Sequence, residues 1–379
     1  MIKNKLRIIF LCFVIPFLAF TQLSYAKKEL LGYISDGSGD IQIRRVKETV
    51  WTTATLNVPV YFGDNIKTGP AGEGTITFTD QSLIKIRPNS HITLNAFVSP
   101  FEKKNSVLLF FGRIWNKLSR KALKWGSLEV QTPTAVCGVR GTEFWTASYE
   151  DGTTIIRVES GEVTVDNEID QRTISSDEST QLSFVKKEIE VAPGFEPQWE
   201  RAQKSSRQNL FSDGEKYGGF VHGEIYKRRD HLKLLVEKTK TLSEERERYV
   251  VMAKEAEERG DDIESQSYMS KAKKIQKEIE ELNRTIAFHG RRLECQFGLF
   301  SRYAYLAKHP EFSKRFTGKE FILKELDNIE MIHAEFNALI EEGMKMSMED
   351  MEDLITEMKG KVREYKEKKG VRDPFDELN

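Results

Sequence analysis

Hydrophobic and polar residues follow two different rhythms along this chain. From Leu30 to about Val191 the period is two. Thr75-Ile76-Thr77-Phe78, Ile84-Lys85-Ile86 and Ile92-Thr93-Leu94 alternate, and Ile156-Arg157-Val158 faces Val163-Thr164-Val165 across Ser160-Gly161. Side chains on a strand point to opposite faces in turn, so this rhythm predicts strands with one buried face. Turn signals recur at short intervals: Asp36-Gly37-Ser38-Gly39-Asp40, Gly69-Pro70, Pro88-Asn89-Ser90 and Asp151-Gly152. Many short strands between such turns predict an all-β N-terminal domain over residues 27–192, built as a sandwich or a short coil of strands.

The rhythm changes after Pro193-Gly194-Phe195-Glu196-Pro197, where glycine becomes sparse and Glu, Lys and Arg dominate. Residues 193–220 read as a linker helix, centred on Gln198 to Phe211, with Gly218-Gly219 as a break. Residues 221–379 read as an all-α region. Leu235, Leu242, Tyr249 and Ala256 recur every seven residues, with Leu232 and Ala253 partly filling the second seam position and Arg246 interrupting it. Ile275, Ile279, Leu282, Ile286 and Leu293 resume the spacing. Steps of three and four place these side chains on one helical stripe. Between the two runs, Gly260 suits a helix C-terminus and Asp261 or Asp262 an N-cap. The pattern predicts an antiparallel coiled-coil hairpin over about 225–295. A parallel dimer, which would make the helices a self-association surface, is the competing arrangement. Helices are also predicted over Phe297 to Lys308, Lys319 to Glu342 and Ser347 to Lys368. Met344, Met346, Met348, Met351 and Met358 are read as core filling before an adaptable partner surface.

The first 26 residues have the form of a secretory signal. Lys3, Lys5 and Arg7 precede an apolar run from Ile8 to Phe20, and Ser24-Tyr25-Ala26 offers small residues at a cleavage site. The run is short for a membrane span. Cleavage after Ala26 would give a periplasmic protein exported by the Sec pathway, with no stable membrane span. An uncleaved signal anchor is the alternative.

Charge adds little to this organisation. There are 58 Lys and Arg against 59 Asp and Glu. No basic excess marks a nucleic-acid partner. Cys12 belongs to the signal. Cys137 and Cys295 lie in different predicted domains and make neither a disulfide framework nor a zinc spacing. None of the six histidines falls in a His-Glu-x-x-His pattern. No nucleophile elbow, phosphate loop or dinucleotide fingerprint is present. The expectation is no enzyme, no cofactor and no metal.

One segment carries more than its periodicity. In Thr132-Pro133-Thr134-Ala135-Val136-Cys137-Gly138-Val139-Arg140-Gly141-Thr142-Glu143-Phe144 a rigid Thr-Pro turn leads to two glycines, an arginine and an apolar strand start. Pro133 fixes φ and pushes Thr132 towards extended geometry. Gly138 and Gly141 suit a bulge or a tight crossing. Arg140 is read as a brace on loop carbonyls or on a carboxylate such as Asp64 or Glu143. Cys137 is read as a small buried residue.

This segment resembles the signature of the FecR domain, a bacterial extracytoplasmic β-domain. Thr132, Pro133, Gly138, Arg140, Gly141, Thr142 and Phe144 carry the likeness. Other stretches extend it in order over roughly residues 30–190: Gly63-Asp64-Asn65-Ile66-Lys67-Thr68-Gly69, Phe78-Thr79-Asp80-Gln81-Ser82 with Gln81 in place of the usual glycine, Pro88-Asn89-Ser90, Gly112-Arg113-Ile114-Trp115, and Val158 to Val165. The resemblance implies a jelly-roll-like sandwich or a short β-solenoid, followed here by the all-α region. It also implies protein contact outside the cytoplasm.

Two functions are therefore expected. The first is a non-catalytic periplasmic binding or scaffold protein with an envelope protein as partner, an outer-membrane protein being one candidate. The second is an extracytoplasmic sensor in FecR-type sigma regulation with the N-terminal segment kept as an anchor. The founding role needs a cytoplasmic segment before the span, and only seven residues precede the apolar run. The basic and aromatic stretch Lys117–Trp125, with Arg120, Lys121, Lys124 and Trp125, is expected either to contact the partner or to pack on the chain's own helices.

Overall fold

The computed structural model of the chain describes residues 30–46, 48–94, 104–119, 127–139, 141–194 and 197–340. The signal-like segment, Arg120, Lys121, Lys124, Trp125, Arg140 and the methionine-rich C-terminal stretch lie outside the described residues.

Among the described residues of 30–193, seventeen strands form two hydrogen-bonded layers. In chain order they are β1 (Leu30–Ser38), β2 (Ile41–Arg44), β3 (Thr52–Thr53), β4 (Pro59–Tyr61), β5 (Asn65–Thr68), β6 (Glu73–Phe78), β7 (Leu83–Ile86), β8 (His91–Leu94) and β9 (Lys104–Lys117). There follow β10 (Ser127–Gln131), β11 (Val136–Val139), β12 (Glu143–Ser148), β13 (Thr154–Ser160), β14 (Glu162–Asp166), β15 (Gln171–Ser175), β16 (Glu178–Leu182) and β17 (Val191–Pro193). One layer runs β4-β1-β6-β7-β9-β12-β13-β16-β17. The other runs β3-β2-β5-β8-β9-β10-β11-β14-β15. Among the described strands, only β9 with β10 is parallel.

Strand number rises along both layers, apart from the first pair in each. The chain thus advances from one end of the sandwich to the other, crossing between layers as it goes. This is a sandwich with a solenoid-like progression, and it draws on both predicted arrangements. The inward residues of the two layers, among them Ile66, Ile76, Ile84, Ile92, Ile114, Val130, Phe144, Ile156, Val163 and Ile174, share one core.

The 14-residue β9 joins the layers. Its first half pairs with β8 and β10, and its second half with β7 and β12. The change of layer falls at Gly112, whose φ is 106°. A Cβ there would lie 2.3 Å from Ser90 Oγ and 2.4 Å from its Cα, so only glycine allows the crossing.

Four helices follow among the described residues: α1 (Trp199–Ser212), α2 (Gly214–Glu258), α3 (Asp262–Lys308) and α4 over 319–340. α2 and α3 are antiparallel around the predicted turn. Gly260 has φ 79°, and Asp261 Oδ1 accepts the Glu264 N–H at 2.9 Å. Buried seam positions are Leu232, Thr239, Arg246, Ala253 and Ala256 on α2 and Ala272, Ile279, Ile286 and Leu293 on α3. Leu235, Leu242 and Tyr249 are half-buried beside them. Arg246 does not break the seam: its side chain is buried and donates to Gln276 Oε1 at 3.0 Å.

Two breaks expected from the sequence are absent. α2 passes through Gly218-Gly219 without interruption, and α3 continues through Phe297 to Lys308. Gly218 is a packing position. A Cβ there would meet Ile322 Cδ1 at 2.8 Å, so the glycine brings α4 close against α2.

Candidate functional site

The signature segment forms the turn between β10 and β11 and the start of β12. Three buried threonines tie it down. Thr132 Oγ1 and Thr134 Oγ1 each lie 2.8 Å from Thr154 Oγ1 on β13. Thr132 Oγ1 accepts the Ala135 N–H at 2.9 Å, and Thr134 Oγ1 donates to Gly152 O at 2.9 Å. Pro133 removes an amide donor inside this closed turn. Gly141 takes the left-handed conformation, with φ 64°, beside a register shift in the β12–β13 pairing. Gly138 differs: its φ is ordinary, and an added Cβ would meet Thr164 O at 3.9 Å, a normal contact. Thr142 Oγ1 donates to Glu162 O at 3.0 Å, and the Phe144 ring is fully buried. Cys137 is buried in the core, and burial pushes its thiol up to about 12, which suits packing and not attack.

Both carboxylates considered for Arg140 have described partners. Asp64 is buried, accepts the Tyr61 N–H at 2.8 Å and pairs with Arg45. Glu143 pairs with Lys117 at 2.8 Å. Lys117 is thereby held on the sandwich, and Leu118 packs on the core.

The described residues also bring together a polar surface that sequence reasoning missed. It lies between the sandwich and the helices. Arg302 on α3 donates twice to Glu150 Oε1, from Nε at 2.9 Å and Nη2 at 2.6 Å, and Tyr303 Oη–H donates to Glu150 O at 2.6 Å. The adjacent Asp151 is buried and accepts Ser206 Oγ–H at 2.6 Å and Asn209 Nδ2–H at 3.0 Å, both from α1. Tyr149 Oη–H donates to Trp199 O at 3.0 Å. The turn read from sequence as Asp151-Gly152 is therefore where α1 and α3 are seated.

Further along α3, Arg291 pairs with Glu129 at 3.3 Å, both side chains being buried. Phe110, on the outer face of β9, packs with Cys295, and Gly298 brings the α3 backbone against its ring. Arg228 of α2 and Arg292 of α3 both converge on Glu168 in the β14–β15 turn, at 3.0 and 3.3 Å. The two guanidinium groups hold the Glu168 carboxyl below its usual range despite its burial. Arg228 Nη1 donates to His289 Nδ1 at 2.6 Å, and burial lowers His289 to about 4, so the imidazole is neutral and accepts.

A second feature lies on the outer face of the sandwich. The indole N–H groups of Trp115 and Trp145 both donate to Glu159, at 2.9 and 2.7 Å. Arg113 stacks between Trp145 and Trp199. At the first end of the sandwich Tyr33, Val46, Val50 and Leu56 are exposed. Among the described residues no group of His, Cys, Asp and Glu could hold a metal ion, and no helix is long and apolar enough to cross a membrane.

Comparison with known proteins adds a family to this geometry. Two solved structures from Parabacteroides distasonis ATCC 8503, each described as a "putative anti-sigma factor", share 19% identity with this chain at a TM-score of 0.30. The matched part covers 34% of this chain and 59% of that one, so the match spans well under two thirds of their length. A third structure, described as a "cell surface anchoring domain", shares 25% identity at a TM-score of 0.16, covering 17% of this chain and 82% of that one. No curated protein matches the chain. Residues 64–164 match the model of the family described as FecR protein. From Asp64 before β5 to Thr164 in β14, this chain carries a FecR domain.

Proposed function

We propose that the chain is a non-catalytic protein-binding component of the bacterial envelope, working in extracytoplasmic signalling of the FecR kind. The observation that carries this reading is the FecR domain itself, over residues 64–164, seated through its Glu150-Asp151 turn on a helical body. Thr132, Thr142 and Phe144 of the signature, with the neighbouring Thr134, are engaged in bracing the sandwich, so contact with a partner falls to its other surfaces. The exposed apolar residues Tyr33, Val46, Val50 and Leu56 at the first end of the sandwich and the basic stretch from Lys117 onward are the candidates.

A second reading is a periplasmic scaffold. It is favoured by the long α2–α3 hairpin, which projects an extended charged surface with Ile263 exposed near its turn.

Cell fractionation with intact mass separates the two. Signalling through a retained N-terminal segment expects the uncleaved chain in the membrane fraction and altered transcription when the gene is deleted. A scaffold expects cleavage after Ala26, a periplasmic product and no transcriptional change. Proximity labelling from the FecR domain tests what both share. A labelling profile indistinguishable from that of an unrelated exported protein would defeat protein binding in either form.

A further inference from the structure

The junction between the sandwich and the helices encloses more positive charge than it uses. A cavity of about 120 Å³ opens there, several times the ~10–15 Å³ that one water requires. Its walls include Pro133 and Thr134 of the signature turn and Glu168 of the β14–β15 turn. Four cations also line it: Lys187, Lys227, Arg228 and Arg292. Against them stand two carboxylates, Glu168 and Glu224.

The arginines are not fully engaged. Arg292 is 4% exposed, and its Nε and Nη1 have no hydrogen-bond partner among the described residues. Its Nε is 3.3 Å from Glu168 Oε1, an ionic contact without hydrogen-bond geometry. Arg228 is 5% exposed. It gives Nη1 to His289 and Nη2 to Glu168, and its Nε has no partner. Guanidinium N–H groups removed from water are costly to leave unpaired. Here they border a cavity with further ammonium groups around it.

We propose that this cavity is a binding site for a small oxyanion of the phosphate type. Donors on two helices and on the β16–β17 loop approach from several directions. That arrangement matches an anion with three or four oxygens better than a planar carboxylate, and Glu168 already supplies one carboxylate to the same arginines. The ligand is either free phosphate or a phosphoryl group on a larger molecule, since one wall is open to solvent. A bound anion would touch the signature turn, α2 and α3 together, and so would tighten the seating of the helices on the FecR domain.

Calorimetric titration of the full chain with sodium phosphate at low chloride tests this, with sodium acetate at matched ionic strength and glycerol phosphate as parallel arms. Phosphate is expected to bind and to raise the melting temperature, and acetate to do neither. Binding of glycerol phosphate as well as inorganic phosphate supports a phosphoryl group on a larger molecule, and binding of inorganic phosphate alone supports the free ion. Arg292→Gln is expected to weaken binding by about tenfold or more, the equivalent of one charge-assisted hydrogen bond. Lys187→Gln with Lys227→Gln changes only the exposed rim, leaves the melt of the free protein unchanged and weakens binding by roughly threefold or more. Should Arg292→Gln fail to fold, the rim variant decides. The proposal is overturned if the wild-type chain shows no phosphate binding, if acetate binds equally, or if the folded variants bind phosphate as tightly as the wild type.

Discussion

Arg302 and Glu150 lie 152 positions apart in neither sheet nor common helix, yet one carboxylate oxygen of Glu150 accepts two N–H groups of Arg302, at 2.6 and 2.9 Å. Both side chains are largely buried. Removing one partner leaves the other charge desolvated. Arg302→Ala is expected to cost about 2–3 kcal/mol in a urea titration of the full chain. Combining it with Glu150→Ala should cost clearly less than the sum of the two single changes. Additive effects would mean that the pair does not hold the helices to the sandwich.

Gln81 occupies a glycine's conformation. Its φ is 70° in the turn where Phe78 N–H donates to Ser82 O and Ser82 N–H donates to Asp80 Oδ1, both at 2.9 Å. A residue with a Cβ pays for the left-handed region with about 1 kcal/mol. Gln81→Gly is therefore expected to raise stability by up to about 1 kcal/mol, offset in part by glycine's greater freedom when unfolded. A lower melting temperature would contradict this account.

Two histidines make the fold acid-sensitive. Burial among Trp51, Phe110 and Phe111 lowers His91 to about 3, and burial with Arg228 lowers His289 to about 4. Both are neutral in the folded chain at pH 6, while the unfolded chain takes up protons as pH falls through about 6.5. Their contribution is complete above that value and declines as pH falls from there towards 4. The melting temperature should drop from pH 7 to pH 5. His91→Phe should make that slope shallower, and an unchanged slope would exclude His91 as a cause.

Gly298 brings the α3 backbone against β9. A Cβ there would lie 2.5 Å from the Phe110 ring. Gly298→Ala is expected to destabilise by about 1–3 kcal/mol despite alanine's better helix propensity. Phe110→Leu in the same chain should recover part of the loss. Stabilisation by Gly298→Ala alone would show that α3 can move away from the strand at little cost.

In the hairpin, Ile279 is buried between α2 and α3. Ile279→Asp places an unpaired carboxylate there and is expected to reduce helical circular dichroism and thermal stability of the full chain. An unaltered spectrum and melt would mean that the seam does not hold the two helices together.

The period-two stretches gave strands because one face of each meets the shared core, and Ile76, Ile84 and Ile92 could be placed there from alternation alone. The hairpin turn was legible too, since Gly260 and Asp261 act through local backbone geometry. Gly218-Gly219 misled because a helix tolerates glycine where a second helix packs closely, and sequence spacing does not display Ile322 above it. The seating of the helices left no local trace. Nothing in the local spacing sets Glu129, Glu150 and Glu168 apart from other carboxylates, or Arg228, Arg291, Arg292 and Arg302 from the many charged residues of the helices. Their pairings cross 60 to 162 positions. The chemistry of these residues is common, and only the fold makes it specific.

Helix α3 is one uninterrupted rod of 47 residues, about 70 Å long. Its second half is clamped through Arg291, Cys295 and Arg302, while its first half, among the described residues, packs along α2. The rod therefore has the geometry of a lever whose fulcrum lies on the sandwich. A partner that displaced the Gly260 end would load Glu129 and Glu150 directly, with no flexible joint in between to absorb the motion.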